Sequence, residues 1–278
     1  MLEWFESLSA ESGEIVKLRL SNAVVGRIGY RNFVDIAQLF YMRMLTPAVE
    51  KDFTILKFLK LDSNISFHNV ATSDEKYGVQ SEFFNINKTE QISFLHYYIQ
   101  ALKFANIEDK NRILNLGINK GDEFEVIKNM VGVDGFLQKE FVGIDYSESI
   151  IEYAEKKLPC VKFICHDISA LGELDLGRFD LVISIGTLQS SNLNFNKTFM
   201  DIYQNHLQKG GSIILGFPNC RWIDGEMIYG AKVPNYNFSE LGMVVKDIHF
   251  CKKYLQQKGY RVVITGRDYL FLSARKLS

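Results

Sequence analysis

The chain has 278 residues, 47% of them hydrophobic and 23% charged, with a formal net charge of −1. That length holds one large domain or a main domain with an appendage, and the apolar share supplies a sizeable core. So neutral a balance gives no bulk attraction for nucleic acid, and no apolar run nears the roughly 18 residues of a membrane helix. The four cysteines, Cys160, Cys165, Cys220 and Cys251, form no Cys-x-x-Cys pair and have no histidine at zinc spacing. Reduced thiols in a cytoplasmic protein are therefore expected, with no metal. Glu3, Glu6, Glu11 and Glu14 make the first residues unlike a secretory leader.

In chain order, residues 14–25 carry Ile15, Val16, Leu18, Leu20 and Val24 and read as a helix before Gly26 and Gly29. Residues 32–45 read as a second helix, ended by Thr46-Pro47. Residues 53–61 and 65–70 are strand-like around an Asp62-Ser63-Asn64 turn, and 72–78 is a polar loop. Asn87 or Thr89 caps a helix over 90–105 with an apolar stripe at Ile92, Leu95, Ile99, Leu102 and Phe104. The expectation for residues 1–106 is a mainly helical cap with a small hairpin.

From Arg112 the pattern alternates between strands and helices. Strands are expected at 112–116, 141–144, 161–165, 179–185 and 212–217, with helices at 123–131, 146–157 and 195–207 between them. A long loop, 218–239, and a helix, 245–258, follow. Two strands, 261–265 and 269–274, turn at Gly266-Arg267-Asp268 and close the sheet as a hairpin. Residues 107–278 are thus expected to form a Rossmann-like, seven-stranded, mostly parallel sheet with a C-terminal antiparallel hairpin.

The first of these strands runs directly into Gly117 and Gly121 and then a helix, which is the mouth of a doubly wound sheet, where ligands bind. The turn lacks the third glycine of a dinucleotide fingerprint and the Gly-Lys-Ser/Thr of a P-loop. Asp122, Glu123 and Glu125 crowd the helix start and would repel a pyrophosphate there. A nucleoside without phosphates, carrying positive charge, suits such a mouth; S-adenosylmethionine (SAM), with its sulfonium and ammonium, answers to that description.

Five βα units and a terminal hairpin resemble the class I SAM-dependent methyltransferases, from about Glu108 to Ser278. The family's acid-x-Gly-x-Gly-x-Gly turn is similar to Asn115-Leu-Gly117-Ile118-Asn119-Lys-Gly121. Asn115 replaces the acid that holds the methionine ammonium, and Asn119, the next-best residue at positive φ, replaces the middle glycine. Val142-Gly143-Ile144-Asp145-Tyr146 resembles the second motif, which implies that Asp145 accepts from both ribose hydroxyls. Asp167 resembles the acid that accepts from the adenine amino group, with Ile168 beside the base, and Ile185 and Gly186 would line the methionine end. The 28 positions from Gly117 to Asp145 exceed the roughly 20 usual for such a fold. An extra loop, Gly132-Val-Asp-Gly135, accounts for the difference.

The resemblance implies SAM as cofactor and S-adenosylhomocysteine (SAH) as product. Methyl transfer needs a base only when the nucleophile carries a proton, so no triad is required, and none is visible. Catalytic candidates are His96, Tyr97 and Asp224. Acceptor-binding candidates are Tyr77, ahead of the core domain, and Asn219, Arg221, Trp222 and Tyr229, in the loop after the fifth strand. His68 lies in the same early segment as Tyr77. Near-neutral charge favours a small-molecule acceptor over RNA or protein, and a SAM- or SAH-binding module without transfer is the alternative from another class.

Overall fold

The computed structural model describes residues 1–65, 78–79, 82–190, 193–230 and 241–277. It comprises two compact units, one of Met1–Ala71 with Cys220–Gly230 and one of Thr72–Asn219 with Ala231–Ser278.

The first unit contains α1 (Leu2–Glu6), β1 (Ile15–Ser21), α2 (Asn22–Ile28), α3 (Tyr30–Leu39), β2 (Met42–Val49) and β3 (Phe53–Lys60). Its three strands form an antiparallel sheet ordered β1-β3-β2. The helix expected over 14–25 is replaced by β1 and then α2. Val16, Leu18 and Leu20 alternate with the more exposed Lys17 and Arg19, a period of two that places all three apolar side chains against one core. The second expected helix ends at Leu39, and residues 42–49 form β2, with Pro47 at a register shift where a missing N–H does no harm. The strand expected at 53–61 is present, but it pairs with β1 and β2; its expected partner, 65–70, lies outside the described residues beyond Ile65. The extension expected to be mainly helical thus holds a full sheet. Its core is Phe5, Val25, Phe33, Ala37, Met42, Leu56 and Phe58.

The second unit contains α4 (Ile92–Phe104), β4 (Arg112–Leu116), α5 (Asp122–Leu137), β5 (Glu140–Asp145), α6 (Glu148–Lys157), β6 (Lys162–Cys165), β7 (Phe179–Ile185), α7 (Phe195–Asp201) and β8 (Leu207–Pro218). Between β8 and the rest of that unit, the chain forms β9 (Cys220–Ile223) and β10 (Glu226–Tyr229), which belong to the first. The second unit then ends with α8 (Gly242–Gln257), β11 (Tyr260–Gly266) and β12 (Tyr269–Lys276). Helix α4, expected with the N-terminal extension, groups with the large sheet.

The large sheet has seven strands in the order β11-β12-β8-β7-β4-β5-β6. Strands β8, β7, β4, β5 and β6 are parallel, and β12 runs antiparallel to both β8 and β11. Helices cover both faces. Leu114, Leu116, Val182, Leu215, Leu272 and Ala274 share a core with residues of α7 and α8. On the other face Phe94 and Tyr98 of α4 pack on Phe271, and Phe124 and Phe136 of α5 on Phe141. The stripe α4 buries is Phe94, Tyr98, Ala101 and Leu102; Ile92, expected inside, is 84% exposed. The loop expected at 132–135 is a break at Gly132, after which α5 resumes to Leu137. Among the described residues no helix is long and apolar enough to cross a membrane.

Candidate functional site

Strand order reverses at β4, whose neighbours are β5 on one side and β7 on the other, and in doubly wound sheets ligands bind at that switch. The chain leaves β4 through Gly117, whose φ of +74° is cheap only for glycine. A Cβ at Gly117 would lie 1.9 Å from Thr187 Oγ1, so the loop after β7 closes directly on the loop after β4. The N–H groups of Gly117 and Ile118 both donate to the carbonyl of Ile144, at 2.8 and 3.1 Å, which ties the turn to β5. Asn119 takes φ +49°, as the middle position of the turn requires, and its N–H donates to Asp145 Oδ2 at 2.9 Å.

Asp145 ends β5. Its Oδ1 accepts weakly from the N–H of Ser147 at 3.3 Å. Burial pushes the carboxyl above its ordinary value, and the backbone N–H groups of Asn119, Ser147 and Tyr146 draw it back. Tyr146 itself is exposed. Asp167, after β6, caps a short 3-10 turn, Ile168–Glu173, accepting from Ser169 N–H through Oδ1 at 2.8 Å. Ile168 and Ile185 are buried, and Gly186 opens the β7 loop at φ +78°. Ile118 is fully buried behind the turn. The cofactor residues expected from the sequence therefore gather at the carboxyl ends of β4, β5, β6 and β7.

Charges around the turn sort into two sets. Asp122 and Glu125 both reach Lys157 Nζ on α6, each at 2.6 Å. Glu123 lies between them in sequence, 5% exposed, and burial pushes its carboxyl up to about 7. The repulsion of phosphates expected from three acids is thus weakened, because two are ion-paired and the third resists ionising. The Lys120 ammonium is buried and donates to the Phe84 carbonyl at 2.8 Å and to Asn87 Oδ1 at 2.5 Å, fastening the segment before α4 to the turn. Asn115 Nδ2 and Asn119 Oδ1 are buried without a hydrogen-bond partner among the described residues.

These leftover groups fit a nucleoside with an amino-acid arm. Asp145 and Asp167 offer carboxylate oxygens to a diol and an amine. Ile168 and Ile185 offer apolar surface to a ring, and the turn carries one spare donor and one spare acceptor. Thr187, Lys120 and the burial of Glu123 were not expected. The residues were legible, but their meeting depends on loops brought together by the sheet.

The other candidates take different places. His96 is exposed on α4, edge-on to the half-buried Tyr97 at 5.1 Å. Tyr77 and His68 lie outside the described residues. The stretch expected as an irregular loop holds the β9–β10 hairpin, whose Asp224 and Gly225 sit at φ +48° and +68°. That is a two-residue Asp-Gly hairpin turn, whose signal is local and present in the sequence. Asp224 is a turn residue: its Oδ2 accepts from Asp62 N–H at 3.1 Å and its carbonyl from Arg43 at 3.0 Å. Arg221 donates to the Gly230 carbonyl at 3.2 Å and lies 5.7 Å from the centre of the Tyr41 ring. Tyr229 is half exposed, its N–H donating to Gln38. Asn219, in the other unit, exchanges with the turn before β12: its N–H donates to Asp268 and its side-chain amide to Arg267.

Residues 113–211 match the family described as a methyltransferase domain. No protein of curated function matches the chain in sequence. Among solved structures it is similar to the plantazolicin methyltransferase BpumL in complex with SAH, at 12% identity and a TM-score of 0.50, over 74% of this chain and 94% of that one. It also matches a SAM dependent methyltransferase from Aquifex aeolicus, at 11% identity and a TM-score of 0.47, over 74% and 100% of the two chains. Residues 113–211 thus match a methyltransferase domain, and they span β4 to the start of β8, the strands on either side of the switch point.

Proposed function

We propose that the protein transfers a methyl group from SAM to a small-molecule acceptor by in-line displacement. The observation that carries this reading is the switch-point turn, where buried Asn115 and Asn119 have side-chain atoms to spare beside two strand-end aspartates. Asp145 would receive the ribose diol through the lone pairs its backbone bonds leave over, and Asp167 the adenine amino group. Ile168 and Ile185 would flank the base and the methionine arm. The solution of BpumL with SAH bound supports the same use of this fold.

The bound cofactor supplies both methyl group and leaving group. What the chain must add is alignment, worth up to roughly 7–11 kcal/mol when geometry is ideal. The tie of the turn to Ile144 and Asp145 provides the rigidity that alignment needs. For the acceptor, Arg221, Trp222 and Tyr229 remain the proposed residues, since their stretch follows β8 directly in sequence. Trp222 Nε1 is buried with no partner among the described residues, a donor that an acceptor molecule could use. With Cys160, Cys165, Cys220 and Cys251 all free, a reducing, cytoplasmic setting is proposed as well.

Calorimetric titration with SAM and with SAH tests the cofactor reading, and absence of binding by both would overturn it. SAH release on mixing with a low-molecular-mass cell filtrate, and not with the retained macromolecules, is the expected result for the acceptor. Release with the macromolecular fraction, or salt-sensitive retention on RNA, would move the acceptor class.

A further inference from the structure

The family's acid for the methionine ammonium stands where this chain has Asn115, a neutral amide whose oxygen can accept from the ammonium but brings no opposite charge, so a charged partner must lie elsewhere. Resting on the cofactor reading above, we infer that Glu123 is that partner: the anionic contact has moved from the end of β4 to the first turn of α5.

Asn115 is a neutral amide whose buried Nδ2 is a donor without an acceptor. A spare donor suits a carboxylate and offers nothing to an ammonium. Along β4, Leu114 and Leu116 face the α7–α8 core, so alternation turns Ile113 and Asn115 to the opposite face. That face carries α4 and α5: Phe141, in register with Ile113, packs on Phe124 of α5. Glu123 belongs there too. Its carbonyl accepts from the buried Tyr98 hydroxyl of α4 at 3.4 Å, and its carboxyl feels Lys88, Asp122 and Asp145.

Of the three acids in this turn, two are held by Lys157, and Glu123 has no ion pair among the described residues. Burial makes this carboxyl resist ionising and has pushed it up to about 7, a rise that the charge of Lys88 offsets only in part. An ammonium delivered with the ligand would supply the missing charge. The spare amide of Asn115 would then take the carboxylate of the same methionine arm. The pair of changes preserves the recognition chemistry of an amino acid while exchanging which residue reads which end.

The test is titration of SAH and of methylthioadenosine, which has the same nucleoside and thioether but no amino-acid arm. Wild type, Glu123→Gln, Asn115→Asp and the double variant are compared, each shown by ligand-free unfolding to be fully folded at the pH and temperature of the titration. Glu123→Gln is expected to weaken SAH about tenfold or more, as for a lost hydrogen bond to a charged group, and methylthioadenosine less than about twofold. Asn115→Asp in the Glu123→Gln background is expected to restore most of the loss. An equal loss for both ligands would make Glu123 a support of the turn and overturn the inference, as would unchanged SAH binding. If wild type binds methylthioadenosine and SAH equally, the arm is not read at all and the inference falls while the nucleoside site stands. If wild type binds neither, the cofactor reading falls first.

Discussion

The turn after β4 and the hairpin after β8 are built from similar residues, each mixing glycine, asparagine or aspartate, and each with a non-glycine residue at positive φ. They differ in what is left over. In the hairpin, Asp224 spends its carboxylate on Asp62 and its carbonyl on Arg43, and the Asp-Gly turn satisfies itself. In the β4 turn, backbone bonds fix the shape while Asn115 Nδ2 and Asn119 Oδ1 remain buried and unspent. Buried polar groups without partners are costly, so a fold keeps them where something else completes them. Both turns use an aspartate to hold their shape, Asp145 through the N–H groups of Asn119 and Ser147 and Asp224 through that of Asp62; what the β4 turn has besides is the unspent asparagine atoms. Trp222 Nε1 is one such atom in the hairpin, so the acceptor proposal rests on Trp222 rather than on Asp224.

The sharpest way to break this contrast is to remove each aspartate in turn. Asp145→Ala would delete the two charge-assisted contacts proposed for the ribose, at about 1.5–3 kcal/mol each, so SAH affinity should fall a hundredfold or more by calorimetry. Asp224→Ala should leave it within about twofold. Equal effects would mean that leftover groups do not mark the site.

The next effect is electrostatic. Glu123 has its folded pKa raised from 4.5 to about 7, which at 1.36 kcal/mol per unit is about 3 kcal/mol. Between those values the folded state holds a proton that the unfolded chain has released, so stability falls as pH rises from about 4.5 through 7. Tyr98 on α4, Lys88 ahead of it, Asp122 on α5 and Asp145 on β5 are the charged or titratable groups around it. Urea unfolding from pH 5 to 8 should show Glu123→Gln gaining up to about 3 kcal/mol on wild type toward pH 8. A constant difference across that range would show the carboxyl to be solvated.

How much of this was legible follows from how far each feature reaches along the chain. The β4 turn, Asp145 and Asp167 are local to strand ends, and alternating strands and helices put them in register without any knowledge of packing. Asn119 at positive φ was legible for the same reason, since asparagine tolerates that region. The burial of Glu123 was not, because Tyr98 of α4, some 20 residues upstream, packs there, and α4 buries Phe94, Tyr98 and Ala101 beside the expected Leu102 while Ile92 is exposed. Residues 15–21 were misread because Ile15, Val16, Leu18 and Leu20 match helical and strand spacing about equally over so short a window. The β9–β10 hairpin is a different failure. Its Asp-Gly signal is local, but a turn among polar and aromatic residues after a sheet strand also matches the description of a substrate loop.

Two smaller effects set the limits of the comparison. Gly117→Ala places a Cβ at positive φ and 1.9 Å from Thr187, so Thr187 must move. The backbone strain alone costs roughly 1–2 kcal/mol, and the urea midpoint should fall together with SAH affinity. Asp224→Ala should cost about 1–2 kcal/mol, from a lost bond to Asp62 worth roughly 0.5–1.5 and the poorer fit of alanine at φ +48°. Asp224→Asn keeps both an acceptor and a residue tolerant of that φ, so most of the loss should return. The two variants then divide the possibilities for this residue by stability and transfer together. A turn residue lowers the unfolding midpoint in the alanine form, recovers in the asparagine form, and leaves methyl transfer by the folded fraction unchanged. A general base does the reverse: asparagine, unable to take a proton, would abolish transfer at full stability. The occupied carboxylate of Asp224 predicts the first pattern.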